Sequence, residues 1–197
     1  MSPPSRNDVT APVDPLFTGR WSPRAFSSEP IPQETLDLLF EAARFAPSSV
    51  NEQPWLFLYA RTEEELSRFR PLLVEPNQVW ANKAPVLAFA FARRTFQKNG
   101  KPNRWAAFDT GAAWMALSLQ AHLLGLVTHA MGGIVTEKVY EVLGVPEAEY
   151  EALCGIAIGK YGDPAALPEQ LRDREKPSPR KPREQVAIHG RFVPPGK

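Results

Sequence analysis

Three short stretches carry residue types and spacings that could hold a charged, polar ligand. Arg20-Trp21-Ser22-Pro23-Arg24 places two guanidinium groups and a hydroxyl on alternate residues. Alternate side chains of an extended segment share a face, so Arg20, Ser22 and Arg24 would converge on one anion, in a geometry suited to phosphate oxygens. The default for such a stretch is a solvated basic surface, because arginines are usually exposed. Ala46-Pro47-Ser48-Ser49-Val50-Asn51-Glu52-Gln53-Pro54-Trp55 packs hydroxyls and amides into a helix-to-strand turn. Those groups could bond a polar ring edge or a chain of hydroxyls, although plain turn chemistry uses the same residues. His129-Ala130-Met131-Gly132-Gly133 ends a strand on two glycines, which lets backbone N–H groups approach a planar ligand or simply makes a tight turn.

Other familiar constellations fail on spacing. No G-x-G-x-x-G occurs, and Gly155-Ile156-Ala157-Ile158-Gly159-Lys160-Tyr161 is one residue short of a P-loop and ends on a residue that cannot ligate magnesium. His122, His129 and His189 lie in separate elements with no second ligand at metal spacing, so structural or exposed roles are expected and no metal site. No G-x-S-x-G offers a hydrolase nucleophile. A chain with so few catalytic side chains is expected to borrow its chemistry from an organic cofactor.

The elements that must position these stretches follow from periodicity. A helix opens at Ile31-Pro32, with Leu36, Leu39, Phe40 and Ala43 recurring at helical spacing, and stops before Pro47. Trp55 to Arg61 reads as a strand, Glu63 to Leu73 as a short helix, and Pro85 to Ala92 as a buried strand. Asn103 to Leu124 is the longest helical pattern and is apolar nearly all round, which implies cover on more than one side. Leu126 to Met131 reads as a strand, Thr136 to Leu143 as a helix closed by Gly144, and Leu153 to Ile158 as a further strand that packs the Cys154 thiol. Residues 1–15 are expected to form a flexible arm, 16–162 the folded domain, and 163–197 a proline-rich extended arm whose Val186, Ile188 and Phe192 resume a strand-like alternation.

Bulk composition narrows the partners. The 197 residues carry 23 basic and 22 acidic side chains for a net charge of +1, which gives no long-range field for nucleic acid or an anionic membrane. A hydrophobic content of 43% suits a globular domain, and a single cysteine forms no internal disulfide. Arg6, Asn7 and Asp8 stand where a secretory signal would be apolar, so a cytoplasmic protein without a membrane span is expected.

Together, R-x-S-x-R before a helix, the A-P-S-S-x-N-x-Q-P-W segment at its end, the glycine-rich strand end and the basic tail resemble the nitroreductase family of FMN-dependent oxidoreductases, from about Phe17 to Phe192. The resemblance implies an α+β fold: a three-layer α/β/α sandwich with a mixed, mainly antiparallel sheet and a C-terminal arm laid on a dimer partner. It implies that Arg20, Ser22 and Arg24 hold the FMN phosphate and pyrimidine edge, with Arg180 adding a phosphate contact. It also implies that Pro47, Ser48, Ser49 and Asn51 reach the flavin of the other subunit of a homodimer, with Gln53 in the same segment. Met131, Gly132 and Gly133 would pass beside the flavin, the Gly132 N–H facing N5. NADH or NADPH would supply hydride, and a nitroaromatic or quinone would accept the electrons in a ping-pong cycle. Dehydrogenation or dehalogenation of a dedicated substrate, or a non-catalytic flavin-binding dimer, are the alternatives.

Trp21 and Ser178 stand where basic residues are common in the family, which predicts fewer charges on the phosphate. Gly132 replaces a residue that is often acidic. Only Arg93 to Pro102 separates the buried strand from the long helix, so an open substrate site is expected, with Phe96, Asn103 and Arg104 as candidate rim residues.

Overall fold

The apolar run at Pro85 alternates large and small side chains, and that alternation sets the layering. In the computed structural model, which describes Arg6 and residues 8–192, strand β2 (Val86–Arg93) sends Leu87, Phe89 and Phe91 to one face and Val86, Ala88 and Ala90 to the other. All six are buried. A strand covered on both faces needs apolar residues at every position, which is why the sequence shows no polar alternation here.

The sheet has the order β1-β2-β4-β3, with β1 at Trp55–Ala60, β3 at Val127–Met131 and β4 at Tyr150–Gly159. Every pairing is antiparallel, and β2 and β4 shift register between Ala90 and Phe91. The expected mixed character is therefore not seen among the described residues. On the aromatic face lie helices α3 (Glu63–Phe69), α4 (Glu75–Ala81) and α6 (Thr136–Leu143), contributing Leu66, Phe69, Trp80 and Val139 to the core. On the small-residue face lie α2 (Gln33–Arg44) and α5 (Ala106–Leu123). Ala88 and Ala90 leave room there for Ala113, Leu117 and Ala121 of α5 and for Leu36 and Leu39 of α2. Two helical layers enclose one sheet, an α+β sandwich.

Local chemistry fixes the boundaries. Thr62 and Glu65 form a reciprocal capping box that starts α3. Pro71 then turns the chain into one 3-10 turn, so the helix expected through Leu73 ends at Phe69. Helix α4, opened by Pro76 in its first turn, is too short for its periodicity to stand out and was not expected. Gly144 closes α6 with φ 65°, a left-handed position that suits glycine.

The ends depart furthest from expectation. A short helix α1 (Pro15–Gly19), capped by the Asp14 carboxylate accepting from the Leu16 N–H, begins the folded chain. The expected arm 1–15 is described only for Arg6 and from Asp8 onward, and the last residues of the expected arm 163–197, from 193, lie outside the described residues. Within that C-terminal segment, α7 (Glu169–Arg172) and a 3-10 turn at Arg183–Gln185 are formed, and among the described residues no strand follows. Val186, Ile188 and Phe192 are exposed.

Candidate functional site

Residues 20–24 run extended between α1 and an antiparallel bridge at Phe26 and Tyr161. Trp21 and Pro23 are buried, whereas Arg20, Ser22 and Arg24 are only half-buried, as the alternation requires. Trp21 packs edge-on to Tyr161 at 6.0 Å. The C-terminal segment holds the backbone from the other side: the Glu175 carboxylate, itself 7% exposed, accepts the N–H groups of Arg24 at 2.9 and 3.0 Å and of Ala25 at 2.8 Å. A buried carboxylate needs such donors, and in accepting them it fixes the direction of the Arg24 side chain.

The result is a concave site of about 210 Å³ walled by Arg20, Trp21, Ser22, Arg24, His129 and Arg180. Arg6, Arg174, Lys176 and Ser178 complete the wall, so six cations and no carboxylate face it. Burial, with Arg180 and then Arg6 nearby, holds the Arg20 guanidinium below its ordinary pKa; burial and then Arg174 do the same to Arg24. Cations crowded into a half-buried cleft repel one another and are relieved by an anion. The Trp21 indole N–H is buried without a partner, an orphan donor in the same wall. An acceptor-rich dianion such as a phosphate ester fits this donor set.

His129, set aside in the sequence as structural, is part of that wall. Its Nδ1 donates to the Pro23 carbonyl at 2.9 Å, its ring lies 4.5 Å from that of Trp80, and burial pushes its pKa down to about 4. It is therefore neutral at pH 7 and adds no seventh charge. Two residues further along β3, Met131 is buried and the strand reaches the glycine pair. Gly132 is exposed with nothing within 4 Å of where a Cβ would sit, an open approach to its backbone. At Gly133 a Cβ would lie 2.6 Å from Asn77 Nδ2 and 2.7 Å from Val74 Cγ2, so only glycine lets α4 pack there.

The Ala46–Trp55 segment forms a second, separate arrangement. Val50, Asn51 and Gln53 have φ values of 49°, 57° and 50°, and a β-branched residue there is strained. Asp109 on α5, 3% exposed, accepts the Ser49 N–H at 3.0 Å, and Ser48 Oγ accepts the Gln53 N–H at 3.0 Å. Pro47, Asn51 and Gln53 are exposed and Ser48 and Ser49 half-buried, yet none of them lines the cationic cleft. Phe45 and Val50 within this stretch, and Trp105, Phe108, Met115 and Leu123 at or along α5, leave large apolar surfaces in water.

The rim candidates divide. Phe96 is half-buried in a tight loop, donating its N–H to the Lys101 carbonyl at 2.9 Å. Arg104 is exposed, with its guanidinium 4.6 Å from the Trp105 ring centre. Asn103 is buried, and its Oδ1 accepts the Trp105 N–H at 3.1 Å to start α5. None of the three lines the cleft. Among the described residues no group of His, Cys, Asp or Glu could hold a metal, and no helix is long and apolar enough to cross a membrane. Cys154 is half-buried, and desolvation raises its pKa to about 11.

Sequence patterns did not single out Arg6, Arg174, Lys176, Glu175 or Asp109 as site residues, whereas His129 has the structural role expected of it. The first four come from chain ends whose packing has no periodic signal. The smaller number of charges expected from Trp21 and Ser178 is offset by three of them: Arg6, Arg174 and Lys176.

Comparison with known proteins places this architecture. A solved oxidoreductase described as containing FMN is 44% identical, covers 98% of this chain and 99% of its own, and superposes with a TM-score of 0.92. An FMN-dependent nitroreductase from Clostridium difficile is 25% identical over 75% of this chain and 87% of its own, with a TM-score of 0.65. The FMN reductase [NAD(P)H] of Bacillus subtilis is 29% identical over 79% of this chain and 68% of its own. Relatives in Streptomyces coelicolor and Methanothermobacter thermautotrophicus, 36% and 32% identical, match over 42% and 53% of their own lengths, so the chain spans about half of these relatives. The family model described as Nitroreductase family matches residues 17–79 and 72–160, and the chain belongs to the nitroreductase family.

Proposed function

We propose that this chain is a cytoplasmic, homodimeric, NAD(P)H-dependent FMN oxidoreductase that reduces an electron-poor acceptor such as a nitroaromatic or a quinone. The observation that carries the reading is the cleft in which Arg20, Ser22, Arg24 and Arg180 converge without a facing carboxylate. The FMN-containing relative at 44% identity supports the choice of anion. Arg20, Arg24 and Arg180 would hold the phosphate, and the Trp21 indole N–H and Ser22 Oγ would bond its oxygens or the adjoining polar edge.

Bound FMN would supply the redox chemistry, taking up hydride from NADH or NADPH and passing two electrons to the acceptor, with protons from solvent. The chain's own contribution is positional and electrostatic. The exposed Gly132 backbone N–H would be an available donor to the edge of a planar ring, and the cationic wall would hold the phosphate that anchors it. Neutral His129 keeps the 22–24 backbone in place through the Pro23 carbonyl without acting as an acid. In the dimer, the strained 47–53 segment of a second copy closes the site, and the exposed apolar residues of α5 meet their equivalents. The arm carrying Val186, Ile188 and Phe192 lies on the other subunit.

The test is the visible spectrum of the purified protein before and after anaerobic addition of NADH or NADPH. Oxidised-flavin bands that bleach with one or both donors, and return on adding a quinone, are the expected result. A colourless protein that FMN cannot reconstitute sinks the reading.

A further inference from the structure

The stretch before the folded domain reaches back into the cleft. Arg6 donates from Nε to the Thr18 carbonyl at 3.1 Å and from Nη1 to the Ser178 carbonyl at 2.6 Å, which leaves its second terminal nitrogen without an acceptor among the described residues, in the wall it shares with Arg20 and Arg180. Two residues on, the Asp8 carboxylate accepts the Arg180 N–H at 2.7 Å. The N-terminal segment thus straps the C-terminal segment down at the point where Arg180 enters the cleft. Beneath the strap, Val9, Val13 and Phe17 surround a second hollow with Arg183.

Three guanidinium groups held this close resist assembly. Burial and the charge of Arg180 hold Arg6 below its ordinary value, and only Asp8 acts in the other direction. One carboxylate among three cations leaves a net repulsion that a bound dianion would reverse.

We propose that Arg6 is a further phosphate-binding residue, delivered to the anion cleft by an N-terminal strap that Asp8 pins to Arg180. The ligand is the phosphate monoester of the flavin, so the inference rests on the functional reading above. It adds a contact from outside the R-x-S-x-R segment and the basic tail. Anion binding and the fastening of both chain ends then become one event, because the phosphate bridges Arg6 of the N-terminal segment and Arg180 of the C-terminal one.

The experiment is FMN titration of apo protein, followed by flavin fluorescence, for the intact chain and for Arg6→Ala, Arg6→Lys and Asp8→Ala. Loss of one charge-assisted contact predicts that Arg6→Ala weakens FMN about tenfold, with partial recovery in Arg6→Lys and a smaller loss in Asp8→Ala. Hydrogen exchange at residues 8–13 and 178–183 should slow on FMN binding in the intact chain and not in Arg6→Ala. Unchanged affinity in Arg6→Ala, with Arg24→Ala weakened, overturns the proposal and leaves the flavin reading standing. If the intact chain binds no FMN, the flavin reading fails, and inorganic phosphate becomes the probe. A thermal upshift by phosphate that Arg6→Ala loses then still supports Arg6 as an anion ligand, and an equal response in both proteins overturns it.

Discussion

The cationic cleft and the 45–53 segment both contain residues marked out by the sequence, yet they are finished to different degrees. In the cleft the backbone is tied at several points: Glu175 accepts the N–H groups of Arg24 and Ala25, His129 donates to the Pro23 carbonyl, and Asp8 accepts the N–H of Arg180. What stays unopposed is donor capacity, the charge of the cations and the Trp21 indole N–H. In the 45–53 segment the backbone is pinned through Asp109 and Ser48, but Phe45 is 73% exposed, Val50 82% and Phe108 76%. Here apolar surface is left unanswered. One region presents charge suited to an anion, and the other an exposed apolar surface of the kind that the proposed interface between two copies would cover.

The sharpest way to break that comparison is to charge the apolar region. Phe108→Glu should convert the proposed dimer into monomers, shifting the dissociation constant by at least about a hundredfold, since burying an unpaired carboxylate is costly. Sedimentation velocity would read the oligomer and the visible spectrum would read the flavin. The expected monomer loses its colour but keeps affinity for inorganic phosphate, because the cleft belongs to one chain. A variant that stays dimeric and yellow would show that the exposed face of α5 has another purpose.

Glu175→Ala attacks the cleft from behind without removing a cation. Two backbone N–H groups lose a buried acceptor, a loss of about 2–4 kcal/mol in stability by the usual cost of unpaired buried donors. FMN binding should weaken with it, since the direction of Arg24 is set there; Glu175→Gln should recover part of both. Chemical denaturation and FMN titration measured together would expose a merely local role, in which stability falls and affinity does not.

Arg24→Ala takes one charge from the front. One charge-assisted contact to phosphate is worth about 1.5–3 kcal/mol, so FMN affinity should fall by about tenfold or more while the oligomer is unchanged. Full retention of flavin would move the phosphate elsewhere in the cleft.

How much of this was legible depended on whether a residue's role is periodic. The β2 run, the α2 stripe and the α5 pattern gave the two-sided core, because burial repeats at 2 or 3.6 residues and leaves a pattern in one chain. Arg20, Ser22 and Arg24 were legible for the same reason, an alternation in an extended segment. Glu175 and Arg6 act across about 150 and 172 residues of separation, through hydrogen bonds that no local pattern announces. Asp109 was hidden differently: within an apolar helix a lone carboxylate reads as a polar interruption until Ser49 is seen against it.

The smallest expected effect belongs to His129, and it separates the cleft's framework from its charge. Burial lowers its folded pKa to about 4, below the ordinary value of 6.5 that applies once the chain unfolds. Between those values the unfolded chain binds the extra proton, so stability falls as pH drops from about 6.5 toward 4 and is unaffected above that window. From pH 7.5 to pH 5.5 the loss should be about 1 kcal/mol, read as a lower urea midpoint. His129→Gln removes the titration and should flatten that part of the profile, while the amide can still donate to the Pro23 carbonyl. If the wild-type profile shows no such decline, the ring is more accessible to water than its packing against Trp80 implies. If the decline persists in His129→Gln, another group carries it, and the cleft's framework is independent of pH.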